Sequence, residues 1–106
     1  MQITFFTLPM PDIGISVGEA NGYAIIPKGH PMHGKNYDDI PVDIHGGLTF
    51  SAPADKLDWP EIPATQKDGW VVGFDTCHFM DTPERWPTSA VLDEAKNLAE
   101  QLDNLA

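Results

Sequence analysis

Two stretches of the chain hold most of the side chains that could bind a metal or move a proton. His45 precedes a pair of glycines, and the run from Asp75 to Asp81 carries two carboxylates, an imidazole and a thiol. Two imidazoles and one carboxylate are the ligand set of open zinc and non-haem iron sites, which activate a bound water by lowering its pKa. We therefore predict a site for a divalent metal (zinc, iron or manganese) held by His45, Asp75 and His78.

Several neighbouring residues could assist such a site. Asp81 could be a fourth ligand or a general base, and His45 is the second catalytic candidate. His30 and His33 lie in a glycine-rich loop that could swing towards the site. Gly46 and Gly47 could present backbone N–H groups to an anion or a small polar ligand, although a Gly-Gly pair is also typical of tight backbone packing. The predicted ligand-binding residues are thus His30, His33, Gly46 and Gly47.

Simpler interpretations of the same residues stay open. The chain has no His-Glu-x-x-His or Cys-x-x-Cys spacing, so no established metal motif supports the site. Asp75 could cap backbone N–H groups at the end of a strand, and His45 and His78 could hydrogen-bond two loops together. Cys77, the only cysteine, could be a nucleophile, but a lone buried thiol is the commoner outcome.

Two predicted strands must position these residues. Trp70 to Phe74 is nearly all apolar, which predicts a central strand that is buried on both faces. Gly47 to Ser51 alternates in polarity and predicts a second strand. If the two pair in antiparallel fashion, residue 47 lies near residue 74 or 75, and His45 lies beside the strand end that carries Asp75.

The remaining elements complete a small α+β fold. Residues 3–8 and 22–26 are predicted strands that prolines terminate, and residues 15–17 are a further candidate. Val91, Ala95, Leu98 and Leu102 recur at helical spacing, which predicts a C-terminal amphipathic helix with Thr88 or Ser89 as its N-cap. We predict one domain over residues 1–106, with an antiparallel or mixed sheet of about four strands and this helix packed on one face.

Composition limits the possible partners. The chain has 16 acidic and 6 basic residues and a formal charge of −10, which disfavours nucleic acid and anionic lipid. A basic protein partner would suit this charge. A non-enzymatic protein that binds or inhibits a basic partner is therefore the alternative function, and a homo-oligomer formed through a sheet edge or Trp59 is a third possibility. A lone cysteine, and the lack of a basic leader and of a long apolar run, predict a cytoplasmic protein that does not enter the membrane.

The order of the motifs is also distinctive. His45-Gly-Gly-Leu-Thr49 and Gly73-Phe-Asp-x-x-His78, followed by Asp81 and a closing helix, resemble a family of small uncharacterised proteins of bacteriophages, prophages and bacteria. The resemblance covers roughly residues 22 to 105 and implies a phage or prophage accessory role without a mechanism. Members often read Gly-Phe-Asp-Cys-x-His. Here Thr76 holds the cysteine position, which argues against an obligatory thiol nucleophile.

Overall fold

The computed structural model describes residues 3–106, which form four strands and one long helix. In chain order these elements are β1 (Thr4–Pro9), β2 (Ala20–Ile26), β3 (Phe50–Pro53), β4 (Trp70–Phe74) and α1 (Thr88–Asn104), with short 3-10 turns at 37–39, 54–56 and 64–66. All three strand pairings are antiparallel, and the strand order is β1-β2-β4-β3. The predicted α+β class, with a sheet of about four strands, is confirmed.

Strand β4 lies inside the sheet, between β2 and β3. Its Val71, Val72 and Phe74 are almost fully buried, as a continuous apolar run predicts for a strand that is covered on both faces. Val72 and Phe74 pack towards α1, whereas Val71 packs into a separate cluster on the opposite face. The end of β4 is therefore a rigid support for the residues that follow Phe74.

The helix packs on one face of the sheet, as its spacing predicts. Val91, Ala95, Leu98 and Leu102 are fully buried against residues of β2 and β4. The predicted side-chain cap is wrong, because the helix begins at Thr88 and Pro87 holds the N-cap position. The Thr88 N–H instead donates to Glu19 Oε1 at 2.8 Å, so a residue far away in sequence satisfies this helix end.

The other face of the sheet is covered by the connection between β3 and β4. Trp59 from this connection stacks on Phe50, with ring centroids 5.6 Å apart, and meets the edge of Tyr23 at 4.9 Å. Ile62 is buried in the same cluster. Trp59 therefore covers a small aromatic and aliphatic core on this face of the sheet.

Two strand predictions need correction. Strand β3 begins at Phe50 rather than Gly47, because Gly46 and Gly47 have φ of +69° and +75° and cannot continue an extended ladder. Residues 15–17 form no strand and belong to an irregular connection. Among residues 3–106, no helix is long and apolar enough to span a bilayer.

Candidate functional site

The segment that follows β4 is held tightly at its start. The Thr76 hydroxyl donates to the Ala20 carbonyl oxygen at 2.6 Å, and its N–H donates to Asn21 Oδ1. The Thr76 carbonyl oxygen accepts from Gly18 N–H at 2.9 Å. Since Thr76 is fully buried, these bonds fix the point at which the chain leaves the sheet.

A four-residue turn then brings His78 and Asp81 together. The Asp81 N–H donates to the His78 carbonyl oxygen at 2.9 Å, which closes the turn. Met80, at the third position, has φ of +74°, a conformation that favours glycine and costs other residues about 1–3 kcal/mol. Phe79 lies at the tip and is 94% exposed. The strained turn places an imidazole and a carboxylate on one side and an apolar tip towards solvent.

His45 reaches the same place from a loop that is attached to α1. The Asp43 N–H donates to Gln101 Oε1 at 2.8 Å, and the Gln101 side-chain amide donates to the Asp43 carbonyl oxygen at 2.8 Å. The His45 N–H donates to Glu94 Oε2 at 2.8 Å. Ile44 between them is buried in the main core. Helix and core together therefore fix the backbone that carries His45.

His45, His78 and Asp81 form one cluster around the Asp81 carboxylate. His45 Nε2 lies 2.9 Å from Oδ1, and His78 Nδ1 lies 3.1 Å from Oδ2. The His78 N–H donates to Oδ2 at 2.9 Å. One nitrogen from each imidazole and one carboxylate oxygen all lie within 4.8 Å of one another. Asp81 is thus a shared acceptor that links the two histidines, which come from different loops.

The environment of Asp81 favours its charged form. Burial raises the pKa of this carboxyl, because only 5% of the residue is exposed. Hydrogen bonds from the His45 side chain and from the backbone and side chain of His78 outweigh burial, so the net pKa is lowered. The carboxylate is available as a ligand or acceptor throughout the neutral pH range.

Two contacts shape the space around the histidines. The His45 ring lies on the Trp86 indole, with centroids 4.1 Å apart, and meets the His78 ring edge-on at 5.2 Å. Gly46 has φ of +69°, and a Cβ at this position would lie 2.3 Å from His78 Cε1. Gly46 therefore permits both the turn and the close approach of the imidazole.

Asp75 lies on the outer side of His78. Its Oδ1 is 3.5 Å from His78 Nε2 and accepts from Cys77 N–H at 3.0 Å, while Oδ2 accepts from the Thr49 hydroxyl. These bonds match the capping interpretation of Asp75. The predicted strand pairing brings His45 to this end of β4 as expected, but its carboxylate partner there is Asp81.

The other predicted ligand-binding residues are not in the cluster. His30 is 4% exposed and contacts the helix end, with Nε2 2.8 Å from the Leu102 carbonyl oxygen. His33 Nε2 lies 2.9 Å from the Asp68 carbonyl oxygen, near the opposite end of β4. The Gly47 N–H donates to the Ile44 carbonyl oxygen at 3.0 Å. The structure therefore brings Gly46 to the site but leaves His30 and His33 elsewhere.

Cys77 is exposed, so the expectation of a buried thiol is wrong. The Asp75 carboxylate that holds its N–H turns this residue outwards at the rim of the site. Two residues that shape the site, Trp86 and Glu94, were not predicted. No local signal identifies them, because a tryptophan before proline and a glutamate on a helix surface are both common in structural roles.

Comparisons with known proteins add no relative. No known protein family, curated protein or solved structure matches the chain.

Proposed function

We propose that His45, His78 and Asp81 bind a divalent metal ion, and that metal-assisted hydrolysis is the chemistry of the site. The observation that supports this proposal is the convergence of two imidazole nitrogens and one carboxylate within 4.8 Å. Zinc, iron and manganese are the candidate ions, since imidazole and carboxylate ligands suit all three. A role as a phage or prophage accessory protein, which the motif resemblance implies, is part of the proposal.

The distances allow an ion to enter with small side-chain movements. Ligand atoms at about 2.0–2.1 Å from a tetrahedral zinc are about 3.4 Å apart. His45 Nε2 and His78 Nδ1 both lie 3.1 Å from Asp81 Oδ2, so each of these two separations would open by a few tenths of an ångström. In this arrangement His45 Nε2, His78 Nδ1 and one Asp81 oxygen are the ligand atoms.

Asp75 would then have a supporting role. When Nδ1 of His78 binds a metal, Nε2 carries the proton and faces the Asp75 carboxylate at 3.5 Å. A carboxylate in this position orients the imidazole and increases its basicity. The Thr49 hydroxyl and the Cys77 N–H both donate to the Asp75 carboxylate and hold it in this position.

The chemistry would take place on the solvent side of the ion. The side chains of His45 and His78 are 23% and 35% exposed, whereas that of Asp81 is 4% exposed. Three protein ligands leave a position for water, and a metal-bound water ionises near neutral pH. The low exposure of Asp81 favours a role as ligand over a role as general base, because a base must reach the attacking water.

Metal content and metal-dependent stability test this proposal. Tag-free protein purified without chelator should carry close to one ion per chain by plasma mass spectrometry. Zinc at 100 times its Kd should raise the free energy of unfolding by about 2.7 kcal/mol. His45→Ala and His78→Ala should lose both effects and stay folded by circular dichroism.

His33→Ala is the matched control, since His33 is half-buried and its Nε2–H donates to the Asp68 carbonyl oxygen near the other end of β4. It should keep the metal. Absence of metal after reconstitution with zinc, iron and manganese would overturn the proposal. If ion binding is found, a panel of ester, phosphoester and amide substrates, each with and without chelator, tests the hydrolysis.

Binding of a basic protein is the second candidate function, and the exposed tip favours it. Phe79 is 94% exposed on a chain with a formal charge of −10. Its ring could contact an apolar site on a partner while the acidic chain attracts basic residues. A lysine-rich peptide that contains aromatic residues is a suitable probe. Its association rate should fall with added salt, and Phe79→Ser but not Leu92→Ser should weaken the complex.

A further inference from the structure

The two edges of the sheet are protected very differently. At the β3 edge, the strand has four residues and ends at Pro53. The Tyr37 N–H donates to Ser51 Oγ at 3.2 Å, and the Trp70 indole N–H donates to the Lys35 carbonyl oxygen at 2.7 Å. Residues 35–37 therefore lie against this side of the sheet. A short, covered strand that ends in proline is a usual protection against edge-to-edge pairing.

The β1 edge is longer and less protected, although it too ends in proline and Thr4 Oγ1 accepts a hydrogen bond from the Gln66 side chain. Strand β1 has six residues, Thr4–Pro9, with no charged side chain and with proline only at the last position. Its register with β2 is continuous from Thr4 opposite Ile25 to Pro9 opposite Ala20, so no bulge interrupts it. Within residues 3–106, the backbone of Thr4–Leu8 has no hydrogen-bond partner outside β2. The outward N–H and C=O groups can therefore pair with another strand.

The surface beside β1 is also apolar. An open groove of about 180 Å³ lies between β1 and α1, and its lining residues are Ile3, Phe5, Lys96, Ala99, Glu100 and Asp103. The lining carries both signs of charge, so the same surface on a second copy, related by a two-fold axis, can complement it.

We propose that β1 pairs with β1 of a second copy of this chain in an antiparallel, two-fold arrangement. Pro9 has no N–H to donate, so the pairing is centred on Phe6, the middle of the remaining five residues. Thr4 then lies opposite Leu8, and Phe5 opposite Thr7, in pairs of β-branched and aromatic or aliphatic residues that suit a sheet.

This register also continues an existing row of side chains. Phe6 lies opposite Tyr23, Tyr23 opposite Gly73, and Gly73 opposite Phe50 across the four strands. Phe6 and Tyr23 are stacked with centroids 5.5 Å apart. Pairing of Phe6 with its own copy would join two such rows into one eight-stranded sheet, with both helices on the same face.

The charge of the chain sets the conditions for this association. Two copies with a formal charge of −10 repel each other, and salt screens that repulsion. The dimer fraction should therefore rise with protein concentration and also with sodium chloride. A complex with a basic partner has the opposite salt dependence, so the two kinds of association are distinguishable.

Sedimentation velocity and hydrogen exchange of the full chain test the proposal. Thr7→Lys introduces an edge charge and should weaken self-association by about tenfold. Leu92→Lys, on the exposed side of α1, changes the net charge equally and should not. Amides of Thr4–Leu8 that exchange rapidly at low protein concentration should become protected at high concentration.

The exchange measurement uses the unaltered chain, so it decides the question even if Thr7→Lys fails to fold. A monomer at all concentrations and salt levels would overturn the proposal. Association without new protection in β1, or with equal effects of the two lysine variants, would overturn it as well.

Discussion

The histidines at the two ends of the sheet make opposite kinds of contact. His30 is enclosed and has backbone partners at both nitrogens: Met32 N–H donates to Nδ1 at 3.0 Å, so Nε2 carries the proton towards the Leu102 carbonyl oxygen. His45 and His78 are partly exposed and share the carboxylate of Asp81. A histidine whose two nitrogens are taken by fixed backbone groups has no free ligand atom. A histidine nitrogen that is hydrogen-bonded to a carboxylate can release its proton and bind a metal ion instead.

Position in sequence does not reveal this difference. His30 lies near glycine and proline in a loop that looks mobile, yet it holds the C-terminal turn of α1. His45 lies beside two glycines in a similar loop, yet it belongs to the candidate site. If His45 and His78 bind a metal as proposed, the kind of partner, backbone carbonyl or carboxylate, separates the structural histidine from the ligands, and three mutations test that separation.

Replacement of His30 should have the largest effect on stability. His30→Ala leaves a cavity and an unpaired Met32 N–H and removes one of the two bonds that the Leu102 carbonyl oxygen accepts, which together cost about 2–4 kcal/mol of unfolding free energy. Urea unfolding should show this loss, whereas metal content by plasma mass spectrometry should not change. Loss of metal from a folded His30→Ala protein would contradict the division between the two regions.

Replacement of Asp81 should have a somewhat smaller effect on stability and should abolish metal binding. Asp81→Asn keeps the shape but removes a charged acceptor of three hydrogen bonds, at a cost of about 2 kcal/mol at neutral pH. Asp75→Asn is the control and should cost less, because the Asp75 side chain is 33% exposed.

The effect of Asp81→Asn should depend on pH. The folded pKa of Asp81 is lowered, so its stabilising effect is fully present above the unfolded pKa of about 4 and is lost as pH falls through the folded value. The stability difference between the native chain and Asp81→Asn, measured by urea unfolding, should therefore narrow below about pH 4. A difference that stays constant down to pH 2 would show that Asp81 stabilises by shape rather than by charge.

Replacement of Gly46 should have the smallest effect on stability. It should distinguish an effect on the position of the His78 ring from an effect on folding. Gly46→Ala strains a left-handed backbone by about 1 kcal/mol and places a methyl group 2.3 Å from His78 Cε1. Gly34→Ala is the matched control, because Gly34 has φ of +84° and open space around its Cβ position.

Both glycine variants should lose stability by urea unfolding through the strained left-handed backbone, and Gly46→Ala should lose somewhat more because its methyl group also displaces the His78 ring. Only Gly46→Ala should weaken zinc binding, by about tenfold or more in calorimetric titration, because it displaces the His78 ring. Equal zinc affinity in the two variants would place the metal away from His78.

The regular elements were predictable because their signals are local. Trp70–Phe74 forms a strand with the predicted bounds, since five consecutive apolar or small residues suit a strand that is covered on both faces. The helix that begins at Thr88 follows from apolar residues at three- and four-residue spacing. The C-terminal helix and the central strand together fix the α+β class.

The site was predictable only to the level of its neighbourhood. His45 and His78 were placed near each other by assumed strand pairing, and the structure brings them together. Whether Asp75 or Asp81 contacts both histidines depended on Met80. Its left-handed conformation turns the chain back, so that the Asp81 carboxylate lies within hydrogen-bond distance of both imidazoles. A positive φ at methionine has no sequence signature, because glycine or asparagine is expected there.

Composition and short-range periodicity were enough to predict the acidic charge, the central strand, the amphipathic helix and the set of side chains able to bind a metal. Tertiary structure decided which of those side chains meet. Glu19 accepts from the first helical N–H of α1, and His30 contacts the carbonyl oxygen of Leu102 at the other end of the helix. His45 contacts Asp81, which is 36 residues away in the chain. Contacts between distant segments depend on packing and loop geometry, for which a local pattern carries no information.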